Sequence, residues 1–370
     1  MQVVLLALTA ASPALGQHSE RLRTAAFFEQ YRFAPGYVVR SMSELTIPVA
    51  LEVALGRRAS LVLSTGYASV DLTSADTVQL ADQQVEGTLD TEMRLNLELI
   101  PGRLVTFLSG ALPTGQQTVA EEELSVLVAL TNDAIGFATA SLGTGGSAGT
   151  GFSAAFPIGR FAVGAAATAL YSLPYQPVLS QTGDLRPGSE LRLRMGLEGP
   201  LAARTYLRVA GSIAARQKDQ VGGVTAHGVG HRAIGYLTLE QGMGPALVSL
   251  YAFNVYRGTP QLEPTVLGAA ILPRGNLLAG GVNVAVSLNP ATSLTPRVEY
   301  RLSTAAPSLE EPGLLRSGAV LRAGADLRRR LGRDRALVIQ GDLVRGDALQ
   351  GTTFYNVTGF RSAVQLEIIP

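Results

Sequence analysis

The stretch Glu92-Met93-Arg94-Leu95-Asn96-Leu97-Glu98-Leu99 alternates polar and aliphatic side chains over eight consecutive residues. A strand turns successive side chains to opposite faces, so Met93, Leu95, Leu97 and Leu99 share one surface. Glu92, Arg94, Asn96 and Glu98 share the other. The apolar series returns in Leu191, Leu193, Met195 and Leu197, in Val298, Tyr300 and Leu302, in Leu321, Ala323, Ala325 and Leu327, and in Val364, Leu366 and Ile368. A soluble sandwich could hide such faces from water. Repetition along most of the chain instead predicts a wall with lipid outside and water or polar protein inside.

Turn signals divide the chain regularly. Tight connections are predicted at 56–58, 100–103, 157–160, 199–201, 241–245, 289–292 and 331–334, each containing Gly or Pro. Longer polar stretches fall between them at 73–84, 113–148, 174–187, 217–230, 259–275, 304–314 and 346–355. Short periplasmic turns alternating with long external loops are the habit of outer-membrane barrels. Fifteen strands can be read between residues 44 and 368, and residues 26–36, with Phe27, Phe28, Tyr31 and Phe33, supply a sixteenth. The fold class predicted is therefore all-β: a transmembrane antiparallel up-and-down β-barrel of about 16 strands. Residues 44–370 form the barrel and 17–43 the first strand or, in a barrel of about 14 strands, a plug.

The composition agrees. Charged residues make up 16% of the 370, against about 25% in soluble proteins, while hydrophobic residues reach 46% and glycines number 41. The formal net charge of +1 speaks against a nucleic-acid partner. Lys218 is the only lysine and cysteine is absent, which excludes disulfides and thiolate metal sites. Val3 to Ala11 and the small-residue site Ala14-Leu15-Gly16 read as a secretory signal peptide over residues 1–16. No other segment has the ~20 apolar residues of a spanning helix. The implied location is the bacterial outer membrane, with membrane lipid and a small-molecule solute as partners. No patch singles out an oligomer interface.

The polar face carries Glu52, Glu92, Arg94, Glu98, Glu190, Arg192, Arg194, Glu198, Arg204, Arg208, Arg297, Glu299, Arg301, Arg322, Asp326, Arg328, Asp342, Arg361 and Glu367: ten arginines against nine acids. A strongly anion-selective pore would carry a surplus of positive charge. The near balance predicts cross-strand ion pairs that stiffen the wall, with some of these residues left to line a polar path. Glu92, Arg94, Glu98, Arg192, Arg194, Arg204, Arg208, Arg297, Glu299, Arg301, Arg322, Asp326 and Arg328 are the predicted lumen-lining residues.

Residues 113–148 are too long for an idle loop. Thr118 and Glu121 have capping-box spacing, and the apolar run that follows predicts a short helix, with Leu124, Leu127 and Val128 narrowing the external mouth. Gly136 and Gly143 to Gly146 end it.

Chemistry is sparse. Of three histidines, His18, His227 and His231, the last two sit four apart among glycines, which suits a solvated external loop better than a metal site. No Ser/His/acid constellation is visible, and neither a catalytic residue nor a cofactor or metal is expected. The segment Leu112-Pro113-Thr114-Gly115, closing one strand and opening the longest loop behind an exported N-terminus, resembles the outer-membrane transporters for hydrophobic compounds. These include the long-chain fatty-acid channels and the barrels of phenol-degradation pathways. The resemblance implies passive uptake of poorly soluble organics through a plugged barrel. Such barrels usually end on an aromatic residue, whereas this chain ends Glu367-Ile368-Ile369-Pro370. The expected function is a passive channel or transporter for small solutes, hydrophobic ones included. The alternatives are a structural or surface-binding barrel and, behind it, a barrel-embedded lipid-modifying enzyme.

Overall fold

The computed structural model describes residues 21–368 apart from 76–80, 140, 181, 263–272 and 309–312. The predicted signal peptide lies outside the described residues. Sixteen strands wind in chain order: β1 (Arg21–Phe33), β2 (Val39–Ala54), β3 (Ala59–Ser74), β4 (Gln83–Thr88 continued by Thr91–Ile100), β5 (Leu104–Leu112), β6 (Ser147–Ile158), β7 (Phe161–Ser172), β8 (Glu190–Ala202), β9 (Thr205–Arg216), β10 (Arg232–Met243), β11 (Ala246–Arg257), β12 (Gly275–Asn289), β13 (Thr292–Ala305), β14 (Leu315–Arg330), β15 (Arg335–Gln350) and β16 (Thr353–Ile368). Each pairs antiparallel with its sequence neighbours. Strand β1 closes the ring on β16, from Leu22 opposite Ile368 to Phe33 opposite Val357. Closure is a physical necessity, because a free strand edge in hydrocarbon leaves backbone groups unpaired at several kcal/mol each. Residues 21–33 meet it as a strand, which makes the count sixteen.

The alternation reads as a two-sided wall. On β4, β8 and β15 the aliphatic side chains point outward, with Met195 and Leu343 exposed by 66% and 73%. Water could not host this many exposed Leu, Ile, Val and Phe side chains on one molecule; hydrocarbon can. Among the described residues no helix is long and apolar enough to span a membrane, so the crossing is made by strands. Tight turns join the strands at one end, where Gly102 and Gly159 take φ of +67° and +59°.

One detail departs from the sequence reading. The stretch 346–355 is no long loop: β15 and β16 run on to a turn at Gly351-Thr352. Its polar residues belong to strands standing above the apolar band, where Arg316 pairs with Asp347 on the outward face. The same holds on β3 and β4, where the Tyr67 hydroxyl donates to Glu86 at 2.8 Å. Polarity there marks emergence from lipid, not the end of a strand. At the strand ends Phe156, Tyr171 and Phe354 are exposed. Tyr175 instead packs in a loop beside Gly145, and Tyr355 turns inward against Tyr37.

Candidate functional site

The connection between β5 and β6, residues 113–146, folds into the barrel. Its hinge is a bulge in β4, where Leu89 and Asp90 interrupt the ladder. The Asp90 carboxylate accepts from the Gly115 N–H at 3.0 Å and the Thr144 N–H at 2.7 Å, so one buried side chain pins both ends of the loop. The Thr114 hydroxyl adds a bond from the Thr91 N–H at 2.8 Å. Gly115 packs its Cα against the Leu142 carbonyl and Asp90, where a Cβ would meet the Asp90 nitrogen at 2.7 Å. The Leu112-Pro113-Thr114-Gly115 segment is thus a clamp.

Helix α1 (Leu124–Leu130) follows. The predicted capping box does not form. Thr118 donates its hydroxyl to the Gln176 carbonyl in the next external loop, and the Glu123 carboxylate accepts the Ala120 N–H at 2.8 Å. Val126 and Leu130 are the buried residues of the helix, with Leu124 and Leu127 packed beside them. Val128, expected with Leu124 and Leu127 to narrow the mouth, is 51% exposed on the side away from Val126 and Leu130. A 3.6-residue repeat puts 126 and 130 on one face, and Val128 halfway between them points away.

Beyond the helix, Ala134, Ile135 and Phe137 are buried. The Phe137 ring meets Tyr31 edge-on with centroids 5.1 Å apart. They seat on inward-facing Met42, Val70, Leu72, Val320, Val344 and Val357, an apolar lumen patch that the charge pattern had not suggested. Barrel residues then take up the loop backbone. Arg322 donates to the Ile135 carbonyl, Glu29 accepts the Ala138 N–H at 2.9 Å, and Glu44 accepts the Thr139 N–H at 2.7 Å. Asp133 reaches Arg257 of β11 at 3.1 Å. Gly136, at φ +58°, adopts a left-handed backbone that other residues avoid and lies against the Arg301 guanidinium, which a Cβ would push aside.

Behind the loop the wall is cross-linked. Arg361 pairs with Glu29 at 3.0 Å, and Tyr31 donates to the same carboxylate at 2.6 Å. Arg297 forks onto Asp342 at 2.9 and 2.7 Å and also pairs with Asp326. Glu299 receives Arg301 at 2.6 Å, Tyr251 at 2.9 Å and Arg322 at 3.6 Å. These groups surround a small cavity of about 210 Å³. Charges so deep are tolerable only when paired and hydrogen-bonded, and each of these is.

The facing wall is different. Inward positions of β5 to β7 are mostly small: Ser109, Gly149, Gly151, Ser153, Ala166 and Thr168. Arg94 from β4 and Arg194 from β8 extend over this floor and feel each other's charge. Arg94 donates to Asn96 at 2.8 Å and lies 3.7 Å above the Phe107 ring. Arg192 pairs with Glu190 at 2.5 Å and Arg208 with Glu198 at 2.9 Å. Arg232 of β10 stands near Arg192 and Arg257 and also near the acids Asp133 and Glu190. Among the described residues Arg94, Arg194 and Arg232 have no acidic partner within ion-pair distance. Glu92 and Glu98 share the Arg94 face.

Two other predicted lining residues stand apart. Arg328 sits at the short-turn end, paired with Glu367 at 2.8 Å. Arg204 lies in the exposed turn after β8, because a bulge between Pro200 and Ala202 ends the strand first. Sequence reading missed Glu29, Glu44 and Asp90, the acids that hold the loop. The available signal was Glu29 within an aromatic segment, a costly place for an unpartnered charge. His227, expected in a solvated loop, is buried against Asp219 at 3.2 Å. His231 is exposed at the start of β10, and no cluster able to hold a metal occurs among the described residues.

The chain is a sixteen-stranded barrel of the outer-membrane kind. No family model matches it, and no curated protein does. Similar solved structures include a bacterial polysaccharide outer membrane secretin, 9% identical over 94% of this chain and 97% of that one, TM-score 0.49. OccK7 of Pseudomonas aeruginosa is 11% identical over 96% and 100%, TM-score 0.46. The P. putida toluene transporter TodX is 10% identical over 95% and 90%, TM-score 0.43.

Proposed function

We propose that this protein is a passive outer-membrane channel for small solutes, narrowed by the 113–146 loop. On this reading residues 1–16 are the export signal and the barrel follows. The observation that carries it is the split lumen. The inserted loop covers the β14–β16 and β1–β3 side, where Glu29, Tyr31 and Val357 are almost fully buried. On the β4–β8 side Arg94 and Arg194 stay partly open to water. An ion entering there meets charges of both signs, because Glu92 and Glu98 share the Arg94 face and, among the described residues, none of the three is in an ion pair.

Planar bilayers under a potassium chloride gradient test this directly. The purified barrel is expected to conduct. A barrel that inserts and does not conduct overturns the proposal.

A further inference from the structure

At the short-turn end a pattern recurs that the lumen does not use. Five of the seven tight turns there place an exposed aliphatic residue two or three positions before an exposed arginine. Leu55 precedes Arg57, Ile100 precedes Arg103, Ile158 precedes Arg160, Leu201 precedes Arg204, and Leu331 precedes Arg333. The first four fall on successive turns from β2 to β9, so they line one continuous arc of the rim. Neighbouring turns lie roughly 10 Å apart, two strand spacings. Among the described residues none of these arginines has an acidic partner within ion-pair distance. The described external connections, by contrast, expose Asp82, Glu121, Glu122 and Asp184.

The arrangement is that of an interfacial anchor. An aliphatic foot at the last lipid-facing level reaches acyl chains, and a guanidinium a few ångströms beyond sits where phosphates lie. Arg160 shows the direction: its guanidinium stands over the Phe161 ring, 5.4 Å from the centroid, at the end of the outer wall and not over the lumen. A planar guanidinium can grip a phosphodiester with two parallel bonds, and basic residues at a bilayer surface collect anionic lipid. A soluble polyanion would meet the same cations but would leave the aliphatic feet idle.

We infer that the β2–β9 arc of the short-turn rim is a binding site for anionic phospholipid of the adjacent leaflet. The ligand is a diacyl lipid with a net negative phosphodiester headgroup, such as phosphatidylglycerol.

The test is native mass spectrometry of the full barrel in micelles doped with phosphatidylglycerol or phosphatidylcholine. Several phosphatidylglycerol molecules should stay bound, and phosphatidylcholine should not. Replacing Arg57, Arg58, Arg103, Arg160 and Arg204 together with Gln should cut retention by on the order of tenfold. The matching Lys replacements should restore most of it. Heat-modifiable gel migration reports folding independently. Were the Gln barrel not to fold, the wild-type preference between the two lipids still decides. Equal retention of both lipids, undiminished retention by the folded Gln barrel, or complete displacement by inorganic polyphosphate would each overturn the site. Conductance enters none of these readouts, so this inference and the channel reading fail separately.

Discussion

The two sides of the lumen draw on the same few residue types. On β13 to β16 and β1, Arg297, Arg301, Arg322 and Arg361 each face a carboxylate. On β4, β8 and β10, among the described residues, Arg94, Arg194 and Arg232 form no ion pair, and neither do Glu92 and Glu98. The first set turns charge into mechanical stiffness and a seat for the loop; the second leaves charge facing water. A near-zero sum over the whole lumen therefore hides two arrangements, charges matched in pairs on one side and charges of both signs left to water on the other. What governs an entering ion is the local remainder after pairing.

The comparison is broken most forcefully by removing the loop that separates the two sides. Replacing residues 120–139 with a short Gly-Ser linker should raise single-channel conductance severalfold, since α1 and the Ile135–Phe137 tip leave the lumen. Unchanged conductance would mean that the constriction lies elsewhere. The next largest effect is expected from charge reversal on the open side. Arg94→Glu combined with Arg194→Glu should turn the reversal potential toward cations. Arg297→Gln combined with Asp342→Asn on the paired side removes equal and opposite charges and should leave it nearly unchanged. If both variants shifted it equally, the distinction between the sides would be lost.

How much of this was readable beforehand follows from the physics of each signal. The strands were legible because their period of two is enforced at every residue by lipid on one side, as in Met93 to Leu99. Short turns were legible because Gly102 and Gly159 need φ values other residues avoid. The loop's depth was not. Its hold depends on Glu29 and Glu44 of distant strands accepting the N–H groups of Ala138 and Thr139, some 109 and 95 residues away. Pairing within the lumen was equally hidden. Nothing along the chain distinguishes Arg94, left without a carboxylate, from Arg361, which meets Glu29 332 residues off in sequence through barrel closure.

A third prediction weighs the ion pairs themselves. Glu29→Ala strands Arg361 in a buried site and removes the acceptor for Ala138, so a loss of about 3–5 kcal/mol is expected. Glu198→Ala breaks a pair whose partners are 25% and 32% exposed, and about 0–1 kcal/mol should result. Heat-modifiable gel migration of both variants measures the contrast. Similar unfolding temperatures would show that burial does not separate the two sides.

The smallest effect concerns the external loops, which are built around one more buried acid. Asp219 accepts the Gly188 N–H at 2.7 Å and faces the His227 ring at 3.2 Å, while its own N–H donates to the His227 carbonyl at 2.6 Å. Burial alone would push this carboxyl upward, but the bonds from His227 and Gly188, with Arg216 nearby, hold it below its ordinary range. A carboxyl depressed by folding adds stability above its unfolded value near 3.9, and loses it as pH falls through the folded value. The Gly188 amide should therefore resist hydrogen exchange from neutral pH down to about pH 4 and open only below it. Asp219→Asn should abolish that acid step while keeping a hydrogen-bond acceptor. An amide that opened already near pH 6 would place control in another group and detach this knot from Asp219. Because the knot joins the loops after β7 and β9 and the inserted loop is clamped at Asp90, conductance should not follow the same acid step. A shared transition would instead make the outer loops part of the gate.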